Sequence, residues 1–256
     1  MEGREKRHMP KLIILGTAHA IPDENHENTH LALIGEGRQV LIDCIGSPIV
    51  RLKKAGIELN SLTDIFLTHF HPDHVAGIPS LLMSMWLLGR RDPLTIYGLQ
   101  YTLDCVEKLM GFYEWDQWPD FFPVIFNRLP AQNLTLALES DEFLIYTSPV
   151  KHLIPNVGLR IEVRQTGSVL AYSCDTEPCD AVVELADKAD MLIHEATGEH
   201  PGHSSASQAG GIAARARVDH LYLIHYNPQD ETLVSQAQTE FSAPVTRTED
   251  YMIMEL

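Results

Sequence analysis

The chain has 256 residues, 45% apolar and 21% charged, which suits one large domain or two small ones with a sizeable core. With 19 Lys and Arg against 35 Asp and Glu, the net charge of −16 repels nucleic-acid backbones at long range, and no basic run exceeds the N-terminal REKR. The four cysteines (Cys44, Cys105, Cys174, Cys179) form no CxxC pair, and no stretch has the ~20 apolar residues of a membrane span or a signal-peptide core, so a soluble protein of the reducing cytoplasm is expected.

Short runs rich in Val, Ile and Leu, bounded by turn residues, predict strands at 11–16, 30–35, 39–44, 64–69 and 93–98. The same pattern continues at 143–148, 158–163, 169–174, 191–196, 220–226 and 251–256. GEGRQ and RQTGS read as hairpin turns. Helical spacing falls at 77–89, 100–111, 178–189, 204–217 and 229–241, with Pro178 in the first turn of the third and Ser204 or Ser205 capping the fourth. Strands passing into alternating strand and helix predict an α/β fold of two packed sheets with helices outside. The stretch 111–142 holds Trp115, Trp118 and four phenylalanines and breaks the pattern, so 99–142 is read as an aromatic lid or an insertion.

The densest chemistry is THFHPDH, residues 68–74. An apolar strand ends there and the chain turns at Pro72. His69 and His71, two apart, can converge on one point, and Asp73 and His74 on a second nearby. Imidazole and carboxylate in such sets suit borderline-soft divalent metals. Four ligands from one segment are too few for two metals. His152, Asp175 and His225 supply the same setting elsewhere: apolar strand, polar residue, turn. His8, His19, His26, His30, His200 and His220 lack it and read as structural or solvent-facing.

THFHPDH, with His152, Asp175 and His225 following in order, resembles the HxHxDH signature and later ligands of the metallo-β-lactamase superfamily. LIHEATGEHPGHSS and LIHYNP are similar to the HEAT, HST and LTHFSP elements of its ribonuclease Z branch. The likeness runs from LGTAHAIP to LIHYNP, nearly the whole chain. It implies a four-layer αββα sandwich over residues 1–256 as one domain, with two zinc ions (manganese or iron as alternatives). His69, His71 and His152 would hold one metal; Asp73, His74 and His225 the other; Asp175 would bridge them. Asp43 in LIDCIGSP would orient ligands, and His203, beside Glu195, would hold a phosphate oxygen or protonate the leaving oxygen. Asp73 is counted with Glu195 and His203 among the catalytic groups, since it can also position the water.

The resemblance implies a phosphodiesterase in which a hydroxide shared by the metals attacks phosphorus. Two elements of the tRNA-cleaving branch are missing. Segment 99–142 carries only Lys108 and Arg128 against eight carboxylates, and the PxKxGxL loop has no counterpart between His152 and Asp175. A small phosphodiester is therefore the expected substrate, ahead of precursor tRNA and ahead of a lactone, thioester, sulfate ester or β-lactam. A non-catalytic metal-binding protein is the reading from another class; the full ligand set weighs against it. No membrane partner is expected, and the resemblance leaves room for a homodimer.

Overall fold

The computed structural model describes residues 9–256; His8 and the REKR run lie outside the described residues. Two seven-stranded sheets face each other. The first runs in the order β14 (Ile253–Glu255), β1 (Lys11–Gly16), β2 (His30–Ile34), β3 (Gln39–Ile42), β4 (Asp64–Phe66), β5 (Leu94–Leu99), β6 (Val124–Leu129). The second runs β13 (Val245–Arg247), β12 (His220–Tyr226), β11 (Met191–Ala196), β10 (Val169–Tyr172), β9 (Asn156–Val163), β8 (Phe143–Val150), β7 (Thr135–Glu139). Helices α1 (Pro48–Lys54), α3 (Ile78–Leu87) and α4 (Gln100–Gly111) cover the first sheet; α5 (Asp180–Leu185), α6 (Ala206–Ala216) and α7 (Leu233–Ala237) cover the second. A four-residue helix, α2 (Pro72–Val75), carries part of the histidine cluster.

The four layers follow from period-two side-chain alternation. In β1, Leu12 and Ile14 enter the core between the sheets, while Ile13 and Leu15 join Leu52, Leu81 and Leu103 under the outer helices. In β11, Ile193 faces the inner core and Leu192 packs beneath α5 and α6. Strands buried on both faces read as continuous apolar runs, which is why the sequence pattern finds them. The strands β3 to β6 pair in parallel, as do β10 to β13, so their C-terminal ends collect on one edge.

Three predicted strands stop short. β3 ends at Ile42, β4 at Phe66 and β10 at Tyr172, each two or three residues before the predicted limit. The cause is local: Asp43 and Cys174 adopt left-handed backbone (φ 61° and 52°), and the Thr68 N–H bonds a carboxylate in place of a strand partner. Beyond the turn expected at Pro72, Asp73 and His74 lie in α2. α5 begins at Asp180, beyond Pro178. Ser205 caps α6 in a reciprocal arrangement with Gln208. Segment 99–142 contains α4, β6 and β7, the last two each forming one edge of a sheet. Trp115, Trp118 and Phe121 pack against the core of the first helical layer.

At Gly210 of α6, an added Cβ would stand 2.3 Å from the Ala237 carbonyl oxygen of α7, whereas Gly211 faces open space. Gly210→Ala is expected to lower the melting temperature by several degrees, from about 1–3 kcal/mol of overpacking. Gly211→Ala should leave it equal or raise it by about 2–4 °C through helix propensity. Calorimetric melting of the two variants checks the α6–α7 packing.

Candidate metal centre

Seven side chains converge where the strand ends of both sheets meet. Asp43, Cys174 and His225 lie there in the left-handed region, at φ 61°, 52° and 50°. Such backbone costs on the order of 1–2 kcal/mol per non-glycine residue and persists where surrounding contacts enforce it. His225 is the extra residue of a bulge, since Glu195 pairs with Ile224 and Ala196 with Tyr226. The bulge re-aims a side chain that strand alternation alone would direct elsewhere.

Outer hydrogen bonds fix the ring tautomers. Thr68 Oγ1 donates its one hydrogen to the Asp43 carboxylate at 2.9 Å, so at 3.1 Å it accepts from His69 Nδ1–H. His74 Nδ1 donates to Asp43 Oδ2 at 2.7 Å, and His152 Nδ1 donates to the Gly202 carbonyl at 2.7 Å. Thr197 Oγ1 donates to the His225 carbonyl and accepts from His225 Nδ1, both at 2.8 Å. In neutral rings, all four Nε2 atoms are then left with bare lone pairs directed inward.

Those lone pairs form two sets. His69 Nε2 lies 2.9 Å and His152 Nε2 3.1 Å from His71 Nδ1. In the second set, His74 Nε2 stands 3.7 Å from Asp73 Oδ2 and 3.5 Å from Asp175 Oδ2; His225 Nε2 stands 3.6 Å from Asp73 Oδ2 and 3.5 Å from Asp175 Oδ1. Asp175 Oδ2 also reaches within 3.9 Å of His69 Nε2, placing this carboxylate between the sets. Ligand atoms about 2.0–2.2 Å from a tetrahedral cation lie roughly 3.3–3.6 Å apart, close to the spacing of the second set and a few tenths of an ångström wider than that of the first. The buried Nε2 atoms of His74 and His225, and Asp175 Oδ1, have no hydrogen-bond partner. The donor sets therefore fit divalent cations. Burial opposes a charge on His74, yet Asp175 and Asp43 raise its proton affinity well above the usual histidine value. Carboxylates that favour a proton there favour any cation.

Beside this centre, buried Glu195 accepts the backbone N–H groups of Thr176 (3.1 Å), Thr197 (2.9 Å) and Ser204 (3.0 Å), and faces His203 Nδ1 at 3.1 Å. The half-buried His203 ring lies parallel to His225, centroids 5.8 Å apart. Burial lowers the proton affinity of His203, but the hydrogen bond and charge of Glu195 carry it above the usual value. Over the centre opens a cavity of about 540 Å³, lined among others by His71, Asp73, Asp175, His203 and His225. All nine candidate site residues thus come together. No residue of 99–142 lines this cavity.

The family model for anti-Pycsar protein Apyc1 matches residues 10–251. The chain belongs to that family. Ribonuclease Z of Methanothermobacter thermautotrophicus is 29% identical over 94% of this chain and 95% of its own length. Ribonuclease Z of Thermococcus kodakarensis is 29% identical, covering 85% of this chain and 84% of its own. Human tRNase Z, short form, superposes with a TM-score of 0.77 at 26% identity, over 96% of this chain and 98% of that one. The metallo-β-lactamase fold protein YhfI of Bacillus subtilis reaches 0.83 at 22% identity, over 97% and 100%, a likeness of fold. This Apyc1-family chain is accordingly a ribonuclease Z-like protein with the metallo-β-lactamase fold and a hydrolase.

The structure adds residues that the sequence left aside. Thr197, two positions after Glu195 in HEAT, orients His225; its neighbourhood was a usable signal. The Gly202 carbonyl that orients His152 is backbone and leaves no signal. His19 and His200, read as structural or solvent-facing, line the cavity. Neither follows an apolar strand directly, so the strand-end criterion passes over them.

Replacing Asp43 by Asn tests the tautomer argument. An amide nitrogen facing His74 Nδ1 favours the tautomer with hydrogen on Nε2, which blocks the metal-facing lone pair. Affinity at the Asp73–His74–His225 set should fall about 10–100-fold, while the three-histidine set holds its metal. Competition with a chromogenic chelator reads both sites; two unchanged affinities would contradict the argument.

Proposed function

We propose that the protein is a dinuclear metal phosphodiesterase, with zinc the favoured metal, acting on a small ester. The observation that carries this reading is the Glu195–His203 pair standing beside two adjoining donor sets, with Asp175 in one and 3.9 Å from His69 Nε2 of the other. The His and Asp ligands suit zinc and also admit manganese or iron. A bound cation pair supplies activated water and a positive field for phosphoryl oxygens. The chain's own groups do the rest. Asp175 spans the two sets and Asp73 faces His74 and His225, so both shape where an incoming phosphate sits. Glu195 fixes His203 through Nδ1, leaving Nε2 to hold a phosphoryl oxygen or protonate the leaving oxygen.

Several features support a small substrate. The cavity holds about 540 Å³, the scale of a mononucleotide-sized ester, and no Lys or Arg among the described residues lines it. The chain carries a net charge of −16, which disfavours a polyanionic RNA. Precursor tRNA remains the second reading because relatives at 29% and 26% identity are named Ribonuclease Z and tRNase Z. Exposed Leu87, Leu88, Phe112 and Tyr113, near the C-terminal ends of α3 and α4, support a homodimer. Among the described residues no helix is long and apolar enough to cross a membrane.

A side-by-side assay of a bis-aryl phosphate, cyclic nucleotides, precursor tRNA and a β-lactam should show turnover of the first two alone. Faster cleavage of precursor tRNA would favour the second reading. With the bis-aryl phosphate, His203→Ala should keep its metals and slow cleavage by roughly 10²–10⁴-fold. An unchanged rate would remove His203 from the chemistry.

A further inference from the structure

His19, on the loop after β1, belongs to neither donor set, yet its backbone is pinned beside them. Its N–H donates to the Tyr226 carbonyl at 3.0 Å, one residue past His225, and its carbonyl accepts from Asn28 Nδ2 at 2.7 Å. Ala18 also bridges to both Tyr226 and Asn28. The half-buried side chain lines the cavity together with Asp73, Asp175, His203 and His225.

The ring is oriented as well. The backbone N–H of Ile21 reaches His19 Nδ1 at 2.9 Å. A backbone N–H can only donate, so Nδ1 offers its lone pair and the ring hydrogen sits on Nε2. That Nε2–H has no hydrogen-bond partner among the described residues. His203 is wired the opposite way: it gives Nδ1–H to Glu195, and donates from Nε2 only while doubly protonated. The cavity therefore has one imidazole whose donor depends on protonation and one whose donor is always present.

We propose that His19 is a substrate-binding residue that donates Nε2–H to a non-bridging phosphoryl oxygen of the ester. His19 shares the cavity wall with Asp73 and His225, and the contact leaves His203 free for the leaving oxygen. The role rests on the phosphodiesterase reading above. A neutral donor serves a phosphate without requiring a basic residue in the wall, which agrees with a cavity lined by no Lys or Arg among the described residues. A bond to a charged oxygen is worth roughly a 10- to 100-fold change in binding.

The test uses metal-loaded wild type, His19→Ala and His19→Gln. Inorganic phosphate is titrated calorimetrically, bis-aryl phosphate turnover is measured, and metal content is determined for each. His19→Ala should keep both metals and lose roughly 10- to 100-fold in phosphate affinity and in kcat/KM; His19→Gln, whose amide can donate, should recover part of both. If wild type cleaves the ester and both variants match it, the role of His19 alone is overturned. Loss of a metal in His19→Ala overturns it too, since the residue would then prop the centre. Wild type inactive on every phosphodiester overturns the underlying reading as well.

Discussion

A carboxylate sealed from water must be surrounded by donors, and in this protein that requirement builds the site. Asp43 is fully buried and accepts the Thr68 N–H, the Thr68 hydroxyl and His74 Nδ1–H. Leaving such a group unpartnered costs several kcal/mol, so the ends of β3 and β4 and the start of α2 are bound to one another. Glu195 performs the matching task in the second sheet, drawing the ends of β10 and β11 and the approach to α6 onto one carboxylate. Each sheet thus has a buried acid that organises its loops, and the candidate ligands stand between the two.

The strained backbone fits the same picture. Asp43, Cys174 and His225 hold left-handed conformations where β3, β10 and β12 meet the site. Regular strands would send alternate side chains into the two cores. Breaking the strand at these points turns Asp43, Asp175 and His225 toward a common centre. The large apolar cores on both sides of each sheet supply the stability against which such local strain is small.

Much of this was legible in the sequence, for identifiable reasons. Strands such as β1 and β11 are buried on both faces and announce themselves as apolar runs. All seven candidate ligands belong to polar residues placed where such runs stop. Edge strands β6 and β7 escaped because only part of each is buried and the alternation is weak. Strand ends at Asp43, Thr68 and Cys174 escaped because side-chain hydrogen bonds and φ angles, which hydrophobic pattern does not encode, decide them. Glu195 and His203 were legible only by likeness to a family motif; their spacing alone says little. His19 was hidden because its place in the cavity depends on pairing to Tyr226, more than 200 positions away in the chain.

The central claim is that two adjoining donor sets, sharing Asp175, each hold a cation. Anomalous diffraction from crystals of the zinc-loaded protein, recorded at the zinc edge, tests it directly. Two peaks are predicted, one among His69, His71 and His152 and one among Asp73, His74 and His225, both within coordination distance of Asp175. A single peak, or peaks away from these residues, would contradict the account.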